Sequence, residues 1–317
     1  MRIERLAQEN SRTQGARRRD WYRRHSPEHL RASAALVASA LAARAPGTSR
    51  SAIVLGAGAC TEVPLEQLAR ASDALTLVDM DAPGMGRARD ELPPQLRPRI
   101  RLVAADLTGG VSTALAELLR AQPWADLALL SGARGTAALD AAASCLERCP
   151  IPNPPELPGL ASGSHGLVIS SLTLTQLFSL PLLDVLDTLL LHAPAAADRR
   201  DASPRYVAAA QGFRRRVALA HLALIESLLA PGGAALLLTD VVGYLLPPQA
   251  GIHADDTPEM MPVLPPAVLD VETDLSARFA VVGQPRRWRW LVSAPDATTP
   301  GRAYDVVGVV FQRRTAS

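Results

Sequence analysis

The chain contains no lysine, and all 33 of its basic residues are arginine. A catalytic lysine is therefore excluded. Together with abundant alanine, leucine and proline, this usage fits a GC-rich bacterial genome. Cysteine is scarce: Cys60, Cys145 and Cys149 give no disulfide framework. Cys145 and Cys149 stand four apart, but no further Cys or His spacing completes a zinc site, so no metal is expected. Net charge is nearly absent, at +2. Non-specific attraction to nucleic acid is then not the dominant theme, and no nucleic-acid partner is expected. The opening M-R-I-E-R-L-A-Q-E-N lacks the apolar run of a signal peptide. No stretch reads as long and apolar enough to span a membrane. The expectation is a cytoplasmic protein without a membrane partner.

What is present is 48% hydrophobic residues in a chain of 317, enough for one large α/β domain with a cap or two modest domains. Ser51 to Arg70 organises it. The apolar run Ala52 to Leu55 has the length and branching of a buried parallel strand. Gly56-Ala57-Gly58 follows, where missing β-carbons permit a tight turn and close approach of a ligand. Val63, Leu65, Leu68 and Ala69 then predict a helix. The order strand, glycine turn, helix opens a nucleotide-binding α/β unit. A second apolar run, Ala74 to Val78, ends in Asp79-Met80-Asp81. An acid at that tip is placed to accept hydrogen bonds from ribose hydroxyls. Asp79 is the ribose candidate, and Asp81 reads equally as a helix cap.

Before the first strand, Ser26-Pro27 predicts a helix start, with Ser26 as cap and apolar positions running through Leu41. Further strands are expected at Ile100 to Ala104, Gly166 to Ser170 and Ala234 to Leu238. Helices are expected at Val111 to Leu119, Ala137 to Glu147, Leu172 to Leu191, Tyr206 to Leu229 and near Ala267 to Phe279. Pro150 to Gly163 and residues 247 to 266 read as proline-rich loops or lids. His192 to Pro204 reads as a linker. Arg287 to Val292 and Tyr304 to Gln312 read as a final antiparallel pair.

Five stretches in this order resemble the class I S-adenosylmethionine-dependent methyltransferases: V-L-G-A-G-A-C-T, L-T-L-V-D-M-D, A-A-D-L-T, L-V-I-S-S-L-T-L-T-Q-L and L-L-A-P-G-G-A-A-L-L-L-T-D. The resemblance covers residues 49–317 and leaves 1–48 as a helical N-terminal cap. It implies an α/β fold with a Rossmann-like, seven-stranded, mostly parallel sheet, an antiparallel C-terminal hairpin and lid insertions. It also implies S-adenosyl-L-methionine as cofactor. Gly56, Ala57 and Gly58 would then turn beneath its methionine part, with backbone N–H groups toward its carboxylate. Asp79 and Met80 would meet the ribose side, Asp106 and Leu107 the adenine, and Ser170 would stand at the fourth strand's end. Two residues before the first glycine the family usually has an acid, and this chain has Val54. Glu62 reads either as its substitute or as a helix-start glutamate on its own dipole.

Methyl transfer from a sulfonium demands positioning and desolvation more than a catalytic triad. The fourth-strand end, Ser170-Ser171-Leu172, is not the Asn/Asp-Pro-Pro-aromatic pattern associated with base amino methylation. The acceptor is expected to be a small molecule or peptide methylated on O or N. Trp21, Tyr22 and His25 read in two ways. They close over the cofactor with His25 as proton acceptor and Tyr22 beside it, or they anchor the cap. Gln176 and Tyr244 are expected to project from the carboxyl edge toward substrate. His165, at the opposite edge, reads as structural, and Arg214-Arg215-Arg216 as a solvated helix face. Three rivals stay open: a nicotinamide oxidoreductase, disfavoured by Thr61 at the third glycine position; a non-catalytic methyltransferase-like partner protein; and an RNA methyltransferase.

Overall fold

A computed structural model describes residues 21–131, 136–248 and 258–314. The basic stretch 1–20 and part of the second proline-rich segment, 249–257, lie outside the described residues. Residues 21–25 are helical, and after Ser26 comes α1 (Pro27–Ala43). The core then runs β1 (Ser51–Leu55), α2 (Leu65–Ala71), β2 (Ala74–Asp79), α3 (Ala82–Asp90), β3 (Ile100–Ala104), α4 (Val111–Arg120), α5 (Trp124–Ser131) and α6 (Thr136–Arg148). It continues β4 (His165–Ser171), α7 (Leu174–His192), α8 (Pro194–Ala197), α9 (Pro204–Leu228), β5 (Leu229–Leu246), β6 (Glu259–Pro262), α10 (Val271–Arg278), β7 (Phe279–Ser293) and β8 (Gly301–Arg313).

The main sheet has the order β3-β2-β1-β4-β5-β8-β7, and short β6 pairs with β5 outside that path. β3 through β5 are mutually parallel, whereas β8 runs antiparallel to both β5 and β7. This is the mostly parallel sheet with an antiparallel C-terminal pair that the resemblance implies. Alternation along β1 explains its two apolar faces. Ala52 and Val54 join one buried cluster with Leu36 and Val37 of α1, whereas Ile53 and Leu55 join another with Phe178 of α7 and Phe213 of α9. A parallel sheet covered by helices on both faces must be apolar on both, which is why these strands read as nearly unbroken hydrophobic runs.

Several local expectations change. Val63 lies in a loop, because Pro64 has no N–H to give and delays α2 until Leu65. Asp81 does act as a helix cap: its carboxylate accepts from the Gly84 N–H at 2.9 Å at the start of α3. Ser26 precedes α1 as expected, but its hydroxyl donates to the Leu291 carbonyl at 2.6 Å instead of capping. That bond ties the cap helix to β7. The expected linker at 192–204 carries α8 and a short 3-10 turn. α7 forms close to the expected bounds, but against the expectation that no stretch could span a membrane it is, at 19 residues and a mean hydropathy of 1.5, long and apolar enough to cross one. Here it packs Phe178, Leu182, Val185 and Leu189 into the core.

Arg215 and Arg216 face solvent as expected but are also partnered. Arg215 pairs with Asp274 of α10 at 2.8 Å, and Arg216 donates to the Leu146 and Cys149 carbonyls at the end of α6. Three histidines are buried neutral. Desolvation lowers His29 to about 3, and His165 and His221 to about 4. His29 accepts the Trp288 indole N–H at 2.9 Å, His165 Nδ1 lies 2.9 Å from the Ser51 hydroxyl at the amino edge, and His221 Nε2 lies 2.8 Å from the Ser170 hydroxyl. The folded pKa values lie below the unfolded one. These groups therefore favour folding above about pH 6.5, and that contribution drains away as pH falls toward 4. Urea midpoints should drop over that window, and Ser170→Ala/His221→Leu should drop less because one buried histidine is gone. Parallel profiles for the two proteins would refute this.

Candidate cofactor and acceptor site

The chain leaves β1 for β2 on one side, and from β3 returns to β4 on the other side of β1. Such a switch point opens a crevice outside the carboxyl ends of the strands. The glycine turn sits there. Gly56 has φ +71°, Gly58 +46° and Cys60, at the third motif position, +49°. A β-carbon on Gly56 would lie 2.4 Å from Thr173 Cβ, so this position is limited by both backbone and space. Thr173 belongs to the turn after β4, which brings two switch-point strands into contact through a single missing methyl.

The turn is locked to β2. The Gly56 and Ala57 N–H groups donate to the Val78 carbonyl at 3.0 and 3.1 Å. The Gly58 N–H donates to Asp79 Oδ2 at 2.9 Å, and Asp79 Oδ1 accepts the Asp81 N–H at 2.8 Å. The expectation of outward-facing amides at Gly56 and Gly58 is thus corrected: they face inward because β2 runs alongside and supplies the acceptors. Burial raises the proton affinity of Asp79, and its hydrogen bonds to the Asp81 and Gly58 amides oppose that rise. The half-buried carboxylate also receives the Met80 backbone N–H, and its two oxygens keep lone-pair capacity for a further donor.

Met80, next in line, is 43% exposed at the strand tip, an unusual place for a large apolar side chain. Beyond β3, Ala105 N–H donates to the Asp79 carbonyl at 3.2 Å, which holds Asp106 and Leu107 at the same edge. Asp106 is engaged locally: its oxygens accept from Thr108 N–H, Thr108 hydroxyl and Gly110 N–H at 2.7–3.0 Å. Its geometry is that of a turn aspartate, and Leu107 beside it is buried. Glu62 lies in the loop before α2, not in its first turn. With Thr61 and Cys60 it lines a cleft of about 430 Å³ whose other wall includes Arg23, Leu30 and Ala34 of the cap. Val54 is fully buried among apolar neighbours, where a carboxylate would be desolvated.

Ser170 is corrected as a ligand contact. It is fully buried and its hydroxyl is turned to His221 of α9, on the sheet face away from the cap. Trp21, Tyr22 and His25 do meet. Trp21 stacks on His25 at 4.6 Å, and buried Tyr22 packs edge-on against Trp290 of β7 at 5.5 Å. Tyr22 is therefore an anchor of the cap, and His25 is exposed on its far side. That geometry does not favour the catalytic roles expected for them. Gln176 uses its amide to donate to the Leu172 carbonyl at 2.8 Å. Tyr244 donates to Asp305 at 2.5 Å beneath the Arg289 guanidinium, which sits 4.1 Å from its ring. Successive residues of β8 point to opposite faces. Asp305 holds Tyr244 on one face, while Tyr304 meets Trp290 at 6.1 Å on the other. The structure thus separates Tyr244 from the Trp21–Tyr22 cluster.

One group at this edge escaped the sequence reading. Asp240, at a bulge in β5, accepts the Thr175 hydroxyl at 2.6 Å, and desolvation raises its proton affinity. The only legible signal was an acid directly after a buried apolar strand, and its partner lies 65 positions away.

No protein-family model matches the chain, and no curated protein matches it. Solved structures share its outline. A SAM-dependent methyltransferase from Aquifex aeolicus is 10% identical, with 83% of this chain and 82% of that one aligned and a TM-score of 0.33. A predicted O-methyltransferase from Agrobacterium tumefaciens is 15% identical, with 87% and 81% aligned and a TM-score of 0.30. A precorrin 8W decarboxylase from Methanobacterium thermoautotrophicum is 11% identical, with 86% of each aligned and a TM-score of 0.31. At these scores the likenesses carry no weight for activity, and the site's own geometry bears the functional reading.

Proposed function

We propose that this chain is an S-adenosylmethionine-dependent methyltransferase acting on an O or N atom of a small molecule or peptide. One observation carries the reading: the Asp79 carboxylate fixes the glycine turn while keeping acceptor capacity beside the exposed Met80. A ribose diol suits the remaining lone pairs, and a purine suits the methionine surface. Leu107 supports the adenine end from below. Glu62 lines the same cleft as Arg23 and is the acid we assign to the cofactor's amine in place of Val54. The described residues 21–48 serve as a cap over a core formed by the described residues that follow.

When bound, the cofactor supplies an activated methyl group whose carbon–sulfur bond pair stays on sulfur as the acceptor's lone pair forms the new bond. The chain's own contribution is positioning. The turn holds one partner at the switch point, the cap and the ends of β4 and β5 shield the acceptor from water, and a neighbouring carboxylate can take a proton. The inward-turned glycine amides and the buried Val54 favour a second reading, a non-catalytic methyltransferase-like partner protein. Binding of S-adenosylhomocysteine to the full chain separates the two, since only the first requires it.

A further inference from the structure

Asp240 sits at the bulge of β5, and among the described residues its side chain accepts from the Thr175 hydroxyl and from its own backbone N–H. No arginine or histidine pairs with it among the described residues. A mostly desolvated acid without a cation is costly unless a ligand completes it. Its surroundings say which ligand. Opposite Asp240 on β8 is Val306, and two residues along the same face is Tyr304. The Tyr304 ring lies across Gly243, where a β-carbon would meet its Cε1 at 3.2 Å, so glycine keeps that surface flat. Trp290 lies 6.1 Å away but is tilted by 39° and is itself stacked by His29 at 4.6 Å, so Tyr304 is the ring beside Asp240. A desolvated acid beside the Tyr304 ring matches a cation carried on a flat apolar body, through ion pairing at one end and stacking or cation–π contact at the other.

We propose that Asp240 anchors the methyl acceptor, and that the acceptor is a protonatable amine on an aromatic or similarly flat framework. The word acceptor rests on the methyl-transfer reading, whereas binding of the amine does not. The raised proton affinity of Asp240 adds a use for the contact. The bound ammonium passes its proton to the carboxylate, and the nitrogen lone pair is then free to form a bond. Thr175 is a positioning residue, since its hydroxyl fixes one carboxylate oxygen and leaves the other for the amine.

The test is titration of phenethylamine and tryptamine into the full chain, with 2-phenylethanol as the uncharged match. Wild type should bind both amines saturably. Asp240→Asn, which keeps shape and removes charge, should weaken them at least tenfold and leave 2-phenylethanol unchanged. Thr175→Val should weaken the amines severalfold. Absence of saturable amine binding to wild type, or equal affinity in Asp240→Asn, overturns the proposal. Parallel titration with S-adenosylhomocysteine keeps the two claims apart. Amine binding without cofactor binding sinks the methyl-transfer reading alone, and the converse sinks the acceptor assignment alone.

Discussion

Replacing Asp79 with alanine is expected to weaken S-adenosylhomocysteine binding by about 100-fold, because two separate contributions vanish. Loss of charge-assisted hydrogen bonds to a ribose accounts for about 1.5–3 kcal/mol. The rest comes from the turn itself: without Oδ2 the Gly58 N–H at 2.9 Å loses its acceptor, and without Oδ1 the Asp81 N–H loses its own. Asp79→Asn distinguishes these roles. Its amide places a donor against one of two backbone donors, so it should loosen the turn nearly as much as alanine does. Calorimetric affinity and urea stability, measured together on both variants, check the point. An affinity equal to wild type in either would remove Asp79 from the site.

The second large effect is structural. Gly56→Ala should cost about 3 kcal/mol of stability, since it combines left-handed backbone strain with a clash. Its new methyl would sit 2.4 Å from Thr173 Cβ, an atom of the side chain that cannot rotate away. Thr173→Gly in the same chain should recover the clash but not the strain at φ +71°, leaving about 1 kcal/mol of loss. Denaturant midpoints of the four-member cycle give the coupling directly. Additive losses would mean that the turns after β1 and β4 do not touch.

The sheet was readable because its signals are local. Ala52 to Leu55, Gly56 to Gly58 and Ala74 to Asp79 are contiguous, and burial of a parallel sheet on both faces forces them to be apolar. The chemistry of the edge was only half readable. Asp79 announces itself by standing at a strand tip, but the inward turn of the Gly56 and Ala57 amides depends on the Val78 carbonyl, a neighbour only in the folded sheet. Ser170 stood one residue before the strand's end, and period-two alternation sent it to the helix side, where His221 waited 51 positions away. Tyr22 reads as part of the cap and Tyr244 as a carboxyl-edge residue, both toward substrate. The faces of β8 separate them. Asp240 went unnoticed because a lone acid after an apolar run is common, and only its pairing with Thr175 and its nearness to Tyr304 give it meaning.

The central claim is that the β1–β2 edge binds S-adenosylmethionine. Its most direct test is calorimetric titration of S-adenosylhomocysteine into the unmodified full chain, with NADH titrated in parallel. The account predicts saturable one-to-one binding of S-adenosylhomocysteine and no heat of binding with NADH. Saturable NADH binding, or a correctly folded chain that S-adenosylhomocysteine does not bind at millimolar concentration, would contradict it.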